Sequence, residues 1–87
     1  MTDLIVELLK EIDIDESVTV NEEGYFDNHP LIVAVQYLAS SYLTDGDIYQ
    51  HTMRLSSYGY SMYPGEKDSF GWLTGCIKTK RGVIVFG

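Results

Sequence analysis

Positive charge is scarce in this chain, and its first third has almost none. Residues 1–28 hold nine carboxylates against one lysine, a net charge of −8, whereas residues 29–87 hold four acidic and five basic side chains. Nucleic-acid phosphates and anionic membranes are bound by lysine and arginine, so we expect neither as a direct partner. An acidic field of this kind attracts a basic protein surface, although an acidic surface that only keeps the protein in solution is the alternative.

Cysteine and long apolar runs are also in short supply. The lone Cys76 cannot form an internal disulfide, and a single thiol is typical of a reducing cytoplasm. No apolar run approaches the ~18 residues that span a membrane, and the start lacks the basic stretch of a signal peptide. With 87 residues, of which 45% are apolar, we expect one folded domain over residues 1–87.

Patterns that carry catalysis or bind metals are missing as well. The sequence has no cysteine pair, no histidine pair at helical spacing, no calcium loop and no phosphate-binding glycine loop. A nucleophilic pair of Cys76 and His51 on neighbouring strands is the one alternative, and no motif accompanies it. We therefore predict no enzymatic activity, no catalytic residue, no metal and no cofactor.

The first half of the chain predicts two helices around a short strand. Apolar residues at helical spacing predict a helix over residues 3–12, with an acidic connector at 13–15. β-Branched residues then predict a strand over Glu16–Val20, which a loop over Asn21–Asn28 follows.

The second predicted helix spans Leu31–Leu43. Pro30 suits the first helical position, and His29 or Asn28 can cap the start. A strand over residues 31–35 is the alternative, because β-branched residues are frequent there. Gly46 predicts the end of the helix.

The rest of the chain predicts an antiparallel meander. Strands are expected over Ile48–Leu55, up to Met62, over Phe70–Thr79 and over the closing VIVFG, with a tight turn at KRG. The predicted fold class is therefore α+β, with two helices packed on a five-stranded antiparallel sheet in the order α-β-α-β-β-β-β.

Tyrosine is abundant in this predicted sheet. The chain has seven tyrosines, and Tyr58 and Tyr60 would share one face of a strand by their spacing of two. Tyrosine is enriched at protein interfaces, although ordinary ring packing on a sheet is an equal alternative. Together with the acidic field, the pattern predicts a protein-binding domain, in the simplest case an inhibitor.

Four short motifs, in this order along the chain, resemble the phage-encoded uracil-DNA glycosylase inhibitors. MTDLIVELLKEI looks like the first helix of that family, and ESV at residues 16–18 resembles the start of its first strand. DIYQHT at residues 47–52 resembles the opening of its second strand, and GWLTGCI at residues 71–77 places a tryptophan ahead of the fourth. About thirty residues separate ESV from DIYQHT, roughly ten more than in the family.

The resemblance implies inhibition by DNA mimicry, in a 1:1 complex with the basic DNA-binding face of the glycosylase. Carboxylates on an acidic first strand would occupy the places of phosphates. A hydrophobic pocket between the second helix and the sheet would capture the enzyme's DNA-intercalating loop. The residues implied at the interface are Glu16, Ser17, Val18, Val20, Glu22, Glu23, Asp27, Ile32, Val35, Met53, Met62, Trp72 and Thr74.

Two other partners fit the same charge pattern. One is another DNA-binding host defence protein, such as a restriction or CRISPR nuclease, and the other is a nuclease toxin that this chain would neutralise as an immunity protein. If the chain is phage-encoded, the expected compartment is the cytoplasm of the host cell.

Overall fold

Three α-helices are present in the computed structural model, which describes residues 2–43, 48–68, 71–72 and 74–87. Helix α1 spans Thr2–Ile14, α2 spans Pro30–Leu38 and α3 spans Ile48–Ser57. A π-helical turn over Ala39–Leu43 continues α2. None of the helices in these ranges has the length and apolar composition that a membrane crossing requires.

Five short strands follow α3 in the described ranges. They are β1 (Ser61–Pro64), β2 (Lys67–Asp68), β3 (Gly71–Trp72), β4 (Gly75–Lys78) and β5 (Val83–Phe86). The strands β1, β4 and β5 form an antiparallel sheet with β4 in the centre, while β2 and β3 form a separate hairpin between β1 and β4.

The prediction of two helices on a five-stranded antiparallel sheet is therefore wrong, although the α+β character holds. The main sheet of the described residues has three strands, and three helices take the place of the two that were expected. The errors lie at three places in the chain, and each has a local physical cause.

The largest error is at Ile48–Ser57, which forms helix α3 and not a strand. Ile48, His51, Thr52 and Leu55 are the less exposed residues of this segment, and their spacing is that of one helical face. Tyrosine and threonine favoured a strand, but the contacts of this face with α1 and β1 decide the helix.

The segment Glu16–Val20 is a turn followed by a single bridge, and not a strand. Asp15 Oδ1 accepts the Ser17 N–H at 2.9 Å, which closes a turn at the point where the strand was expected to begin. Only Val20 pairs, in an antiparallel bridge with Phe26.

The predicted strand over Phe70–Thr79 divides into β3 and β4. The two strands have different partners, since β3 pairs with β2 whereas β4 pairs with β1 and β5. Thr74 lies just before β4, where its carbonyl and hydroxyl accept the N–H groups of Gly65 and Glu66 at 2.9 and 2.7 Å. Residues 69, 70 and 73, and the predicted helix stop at Gly46, lie outside the described residues.

Other local predictions are confirmed. The first helix is longer than predicted by one residue at its start and two at its end, and the second begins at Pro30 with His29 as its cap. The KRG turn joins β4 to β5, since Thr79 N–H donates to the Gly82 carbonyl at 2.9 Å. The strand predicted up to Met62 is only partly correct, because β1 begins at Ser61 and continues to Pro64. Tyr58 lies in the turn after α3 and is exposed, whereas Tyr60 is buried, so the prediction that they share one face of a strand is wrong.

The core joins the helices to one face of the sheet. In α1, Ile5, Leu9 and Ile12 are fully buried at helical spacing. In the sheet, Met62, Ile77 and Ile84 are paired across the three strands and form a buried row. The other face of the sheet and the far side of α1 are exposed, and these two regions are the candidates for function.

Candidate functional site

The acidic loop, which we define as residues 15–27, folds back on itself as a small hairpin. Asp27 N–H donates to the Thr19 carbonyl at 2.9 Å, and Asn21 N–H donates to the Tyr25 carbonyl at 2.8 Å. The tip of the hairpin carries the two adjacent glutamates at positions 22 and 23, both exposed. The loop is therefore ordered by its own backbone, and its three glutamates, Glu16, Glu22 and Glu23, are exposed.

Arg81, in the turn between β4 and β5, holds this loop to the end of α1. Its guanidinium donates to the backbone carbonyls of Ile12, Asp15 and Val18, and it lies 5.9 Å from the ring centre of Phe26. The last carbonyls of a helix lack partners within the helix, and a cation there is favoured by the helix dipole. Arg81 therefore serves as the cap of α1 and as the anchor of the acidic loop.

The two residues after Arg81 complete the attachment. Val83 N–H donates to the Gly24 carbonyl at 2.9 Å, and Phe26 N–H donates to the Val83 carbonyl at 3.1 Å. A Cβ at Gly82 would lie 2.9 Å from the Gly24 carbonyl oxygen and 3.1 Å from Val20, so a larger residue would push the loop away. The first half of the β5 edge is thereby covered by the acidic loop.

Hydrogen bonds link three polar side chains at the start of the acidic loop. Ser17 Oγ–H donates to Asp15 Oδ1 at 2.6 Å, and this hydrogen bond, followed by that of the Ser17 N–H, lowers the pKa of Asp15 below its usual range. His29 Nδ1 accepts the Leu31 N–H at 3.0 Å, so the neutral ring carries its proton on Nε2 and donates it to Ser17 Oγ at 2.9 Å.

Asp15, Ser17 and His29 are the residue types of a serine hydrolase triad, but their hydrogen bonds run in the wrong direction for catalysis. A catalytic histidine accepts the proton of the serine on one nitrogen, and a carboxylate orients the other. Here Ser17 donates to Asp15 directly, and His29 Nδ1 caps α2. The arrangement fixes a turn and provides no base for the hydroxyl.

The other nucleophilic arrangement is not formed either. His51 lies on α3, where its Nδ1 is 2.9 Å from Thr2 Oγ1, and Cys76 lies on β4. The two residues were expected on neighbouring strands. Among the described residues, no group of three or more histidine, cysteine or carboxylate side chains is arranged to hold a metal ion.

The carboxylates of the first third fall into two groups. Four are engaged within the molecule. Asp3 forms a bidentate ion pair with Arg54 at 2.7 and 3.0 Å, and Asp13 accepts the Tyr60 hydroxyl at 2.7 Å. Asp15 accepts the Ser17 hydroxyl and Asp27 accepts the Thr19 hydroxyl, both at 2.6 Å. The others are exposed and make no hydrogen bond or ion pair within the described ranges. They are Glu7, Glu11, Glu16, Glu22 and Glu23.

An exposed apolar residue lies among these free carboxylates. Ile14, the last residue of α1, is 83% exposed and shares a shallow groove with Glu11 and Asp15. We call the exposed side of α1 from Glu7 onward, together with the acidic loop, the acidic surface. It combines unpaired negative charge with the apolar side chain of Ile14, most of which is exposed.

The predicted interface residues are only partly brought together. Glu16, Ser17, Glu22, Glu23 and Asp27 all belong to the acidic loop, but the Ser17 hydroxyl hydrogen and the Asp27 carboxylate are engaged in hydrogen bonds within the loop. Val18 is buried beneath the loop, and Val20 is half-buried against Phe26.

The predicted pocket residues do not line one cavity. Ile32, Val35 and Met62 are core residues, at most 3% exposed. Met53 is exposed on α3 in a groove beside Arg54, whereas Thr74 lies in a different groove beside Val85. Trp72 lies in β3, and its side chain is outside the described part of the molecule.

Sequence reasoning missed two residues of the acidic surface. Arg81 was recognised only as part of a turn. An arginine in a tight turn of an acidic protein was a signal that its guanidinium binds groups elsewhere in the fold. Ile14 was assigned to a connector, because the first helix was expected to end at residue 12. Comparisons of this chain with protein-family models, with curated proteins and with solved structures found no match.

Proposed function

We propose that the protein binds a basic protein surface and blocks the DNA-binding face of its partner, with the carboxylates of the acidic surface in the places of phosphates. The observation that carries this proposal is the set of five exposed glutamates without an internal partner, beside the exposed Ile14. The alternative, in which these carboxylates only keep the protein in solution, predicts no specific partner.

The placement of these carboxylates destabilises the fold locally. Glu7 and Glu11 are four residues apart on one helix face, and like charges at this spacing are destabilising. Features that break local rules in this way are expected at functional sites.

Charge and Ile14 have different parts in the proposed binding. Opposite charge accelerates encounter with a basic partner, and raising the salt concentration slows it. Charge-assisted hydrogen bonds that become buried contribute about 1.5–3 kcal/mol each. Ile14 supplies an apolar contact at the centre, as tight interfaces require.

Uracil-DNA glycosylase is the specific target that the motifs imply, and it stays a proposal. Glu16 and Ser17 of ESV lie in the exposed turn of the acidic loop, in keeping with contact to a partner, whereas Val18 is buried. The DIYQHT motif, from Ile48 onward, lies on α3 where the family has a strand. This difference favours a second candidate of the same class, another DNA-binding defence protein such as a nuclease, or a nuclease toxin.

The decisive experiment titrates the protein into a uracil-excision assay and, in parallel, into DNA-cleavage assays with restriction and CRISPR nucleases. We expect near-stoichiometric inhibition of one enzyme, weakened about tenfold or more by Glu16→Lys or by Glu23→Lys. Glu66→Lys is the matched control, because Glu66 is equally exposed but lies outside the acidic surface.

Each result has a clear meaning. Inhibition of a nuclease without any effect on uracil excision supports the second candidate. Inhibition that Glu66→Lys weakens as much as Glu16→Lys does would show that net charge alone acts, and the acidic surface would not be the site. No inhibition, and no binding to any of these enzymes at low salt, would contradict the proposal.

A further inference from the structure

His29 connects the acidic loop to the start of α2 through both nitrogens of its ring. Nδ1 accepts the Leu31 N–H at 3.0 Å, and Nε2 lies 2.9 Å from Ser17 Oγ. Because the Ser17 hydroxyl gives its own hydrogen to Asp15, Nε2 has to carry the ring proton and donate it to Ser17. The two contacts together require one tautomer of a neutral histidine.

A protonated ring is compatible with only one of these contacts. Both nitrogens of an imidazolium carry hydrogen, so Nδ1–H would point at the Leu31 N–H and two donors would face each other. The hydrogen bond from Nε2 to Ser17 can form in either charge state. Protonation of His29 therefore removes the cap of α2 and not the contact with the loop.

Two effects drive a charged ring out of the cap position. Pro30 has no N–H, and the Val33 N–H donates to the His29 carbonyl at 2.9 Å, so the Leu31 N–H is the donor of this turn that depends on the His29 side chain. A positive charge at the start of a helix is also disfavoured by the helix dipole.

The charged and titratable groups around His29 attract a positive ring toward the acidic loop. They are the carboxylates of Asp15 and Asp27 in the loop, the guanidinium of Arg81, which donates to the Asp15 carbonyl, and the hydroxyl of Tyr37, which lies along the same groove as His29. The hydrogen bond from the Ser17 hydroxyl lowers the pKa of Asp15, so this carboxylate is charged wherever histidine titrates.

We propose that His29 is a pH-sensitive switch between α2 and the acidic loop. The neutral ring caps α2, whereas the protonated ring leaves the cap and moves toward Asp15. Histidine is the side chain that ordinarily changes its charge between pH 5 and pH 8, and the His29 ring is partly exposed to solvent. Ile32 and Val35 hold α2 in the core, so the change is confined to the first turn of the helix and the start of the loop.

The switch also acts on the acidic surface, and this step rests on the proposed function. The protonated ring adds one positive charge beside the carboxylates that would bind the basic partner. Affinity for that partner should therefore fall about two- to fivefold when His29 becomes charged.

Nuclear magnetic resonance of the free protein between about pH 8 and about pH 5 tests the switch. We expect the neutral His29 ring to carry its proton on Nε2. As the ring becomes charged, the Leu31 amide resonance should shift in step, and its protection against hydrogen exchange should fall about three- to thirtyfold. The ring of His51, which lies 2.9 Å from Thr2 Oγ1, is an internal reference away from the loop.

His29→Asn is the matched control, because asparagine caps a helix with a group that does not titrate in this range. Its Leu31 amide should not respond to pH. A neutral ring with its proton on Nδ1 would overturn the proposal, and so would a Leu31 amide that stays unchanged while His29 titrates. A response of the Leu31 amide that His29→Asn retains would overturn it as well.

Partner binding is measured separately at about pH 8 and about pH 5.5, with wild type and His29→Asn side by side. A loss of affinity that only the wild type shows supports control of the acidic surface by His29, and an equal loss in both proteins overturns it. If no basic partner binds at all, the proposed function fails, whereas the tautomer and the Leu31 amide still decide whether the switch exists.

Discussion

Two exposed regions of this protein differ in charge. One is the acidic surface, and the other, which we call the uncharged face, is formed by Val33, Tyr37, Tyr63, Cys76 and Val85. The acidic surface holds five glutamates without an internal partner and a single exposed isoleucine. The uncharged face holds exposed tyrosine and valine side chains, and none of the described residues that line its grooves is an aspartate, glutamate, lysine or arginine. A protein with its charge spread evenly would have neither region.

The separation of charge implies that salt acts differently on the two regions. Binding of a basic partner to the acidic surface weakens as salt rises, because the attraction is screened. Apolar contacts made by the uncharged face do not depend on attraction between charges, so screening does not weaken them. The β4–β5 hairpin connects the two regions, since the acidic loop covers β5 at Val83 and the uncharged face includes Val85.

The largest expected effect comes from Arg81→Ala, which should break the acidic surface and leave the uncharged face intact. The side chain donates to three backbone carbonyls that lose their partner together. We expect a loss of about 2–4 kcal/mol in the free energy of unfolding in urea. Hydrogen exchange of the amides in residues 18–27 should accelerate.

Lys80→Ala is the control for Arg81→Ala, because Lys80 is the exposed neighbouring residue and its loss changes the net charge equally. Its unfolding free energy should match that of the wild type within about 0.5 kcal/mol. Equal losses in the two variants would mean that net charge, and not the anchoring of the acidic loop, determines the effect.

Tyr60→Phe should be next in size, because it removes the hydrogen-bond partner of Asp13, a half-buried carboxylate of α1. Tyr60 is 5% exposed and donates to Asp13 Oδ2. A carboxylate left without this bond in a half-buried position costs about 1–3 kcal/mol, measured by urea unfolding at neutral pH.

The hydrogen bond between Tyr60 and Asp13 also predicts how the stability of the fold depends on pH. Burial, followed by the hydrogen bond to Asp13, raises the pKa of the Tyr60 hydroxyl above its ordinary value of 10.0. The folded state therefore favours the protonated hydroxyl, and this stabilisation is present below pH 10.0 and is lost as the pH rises beyond it. Tyr60→Phe should show a smaller fall of stability in that range, and an unchanged fall would contradict this assignment.

His29→Ala should have an intermediate to small effect at the border of the two regions. His29 caps α2 through Leu31 N–H, bonds to Ser17 of the acidic loop and lines a groove of the uncharged face. We expect a loss of about 1 kcal/mol on thermal or urea unfolding. Asn is a good cap residue, so His29→Asn should retain most of the stability; an equal loss in both would show that the cap is not the cause.

The smallest effect on stability has the opposite sign. Glu11→Gln removes the like-charge contact with Glu7 one helical turn away, and should stabilise the protein by about 0.2–0.5 kcal/mol. The same change should weaken binding of the basic partner. Glu66→Gln is the control and should leave both unchanged; a stabilised Glu11→Gln variant with full partner affinity would remove α1 from the proposed binding surface.

The parts of the fold that depend on neighbours in sequence were predictable. The apolar spacing of α1, the Pro30 start of α2 and the KRG turn between β4 and β5 each act within a few residues. Helix α3 was missed because its apolar stripe has few members, so that its packing against α1 and β1 outweighs the β propensity of Tyr49 and Thr52.

The sequence by itself determined that the first third of the chain is anionic, that one helix has an exposed acidic side, and that no conventional catalytic or metal motif is present. Only the tertiary structure decided which carboxylates are free. Arg81 reaches carbonyls more than sixty positions earlier in the chain, and Arg54 and Tyr60 remove Asp3 and Asp13 from the free set. Those pairings depend on how the helices and the hairpin pack, because short-range electrostatics and hydrogen bonds act through space and not along the sequence.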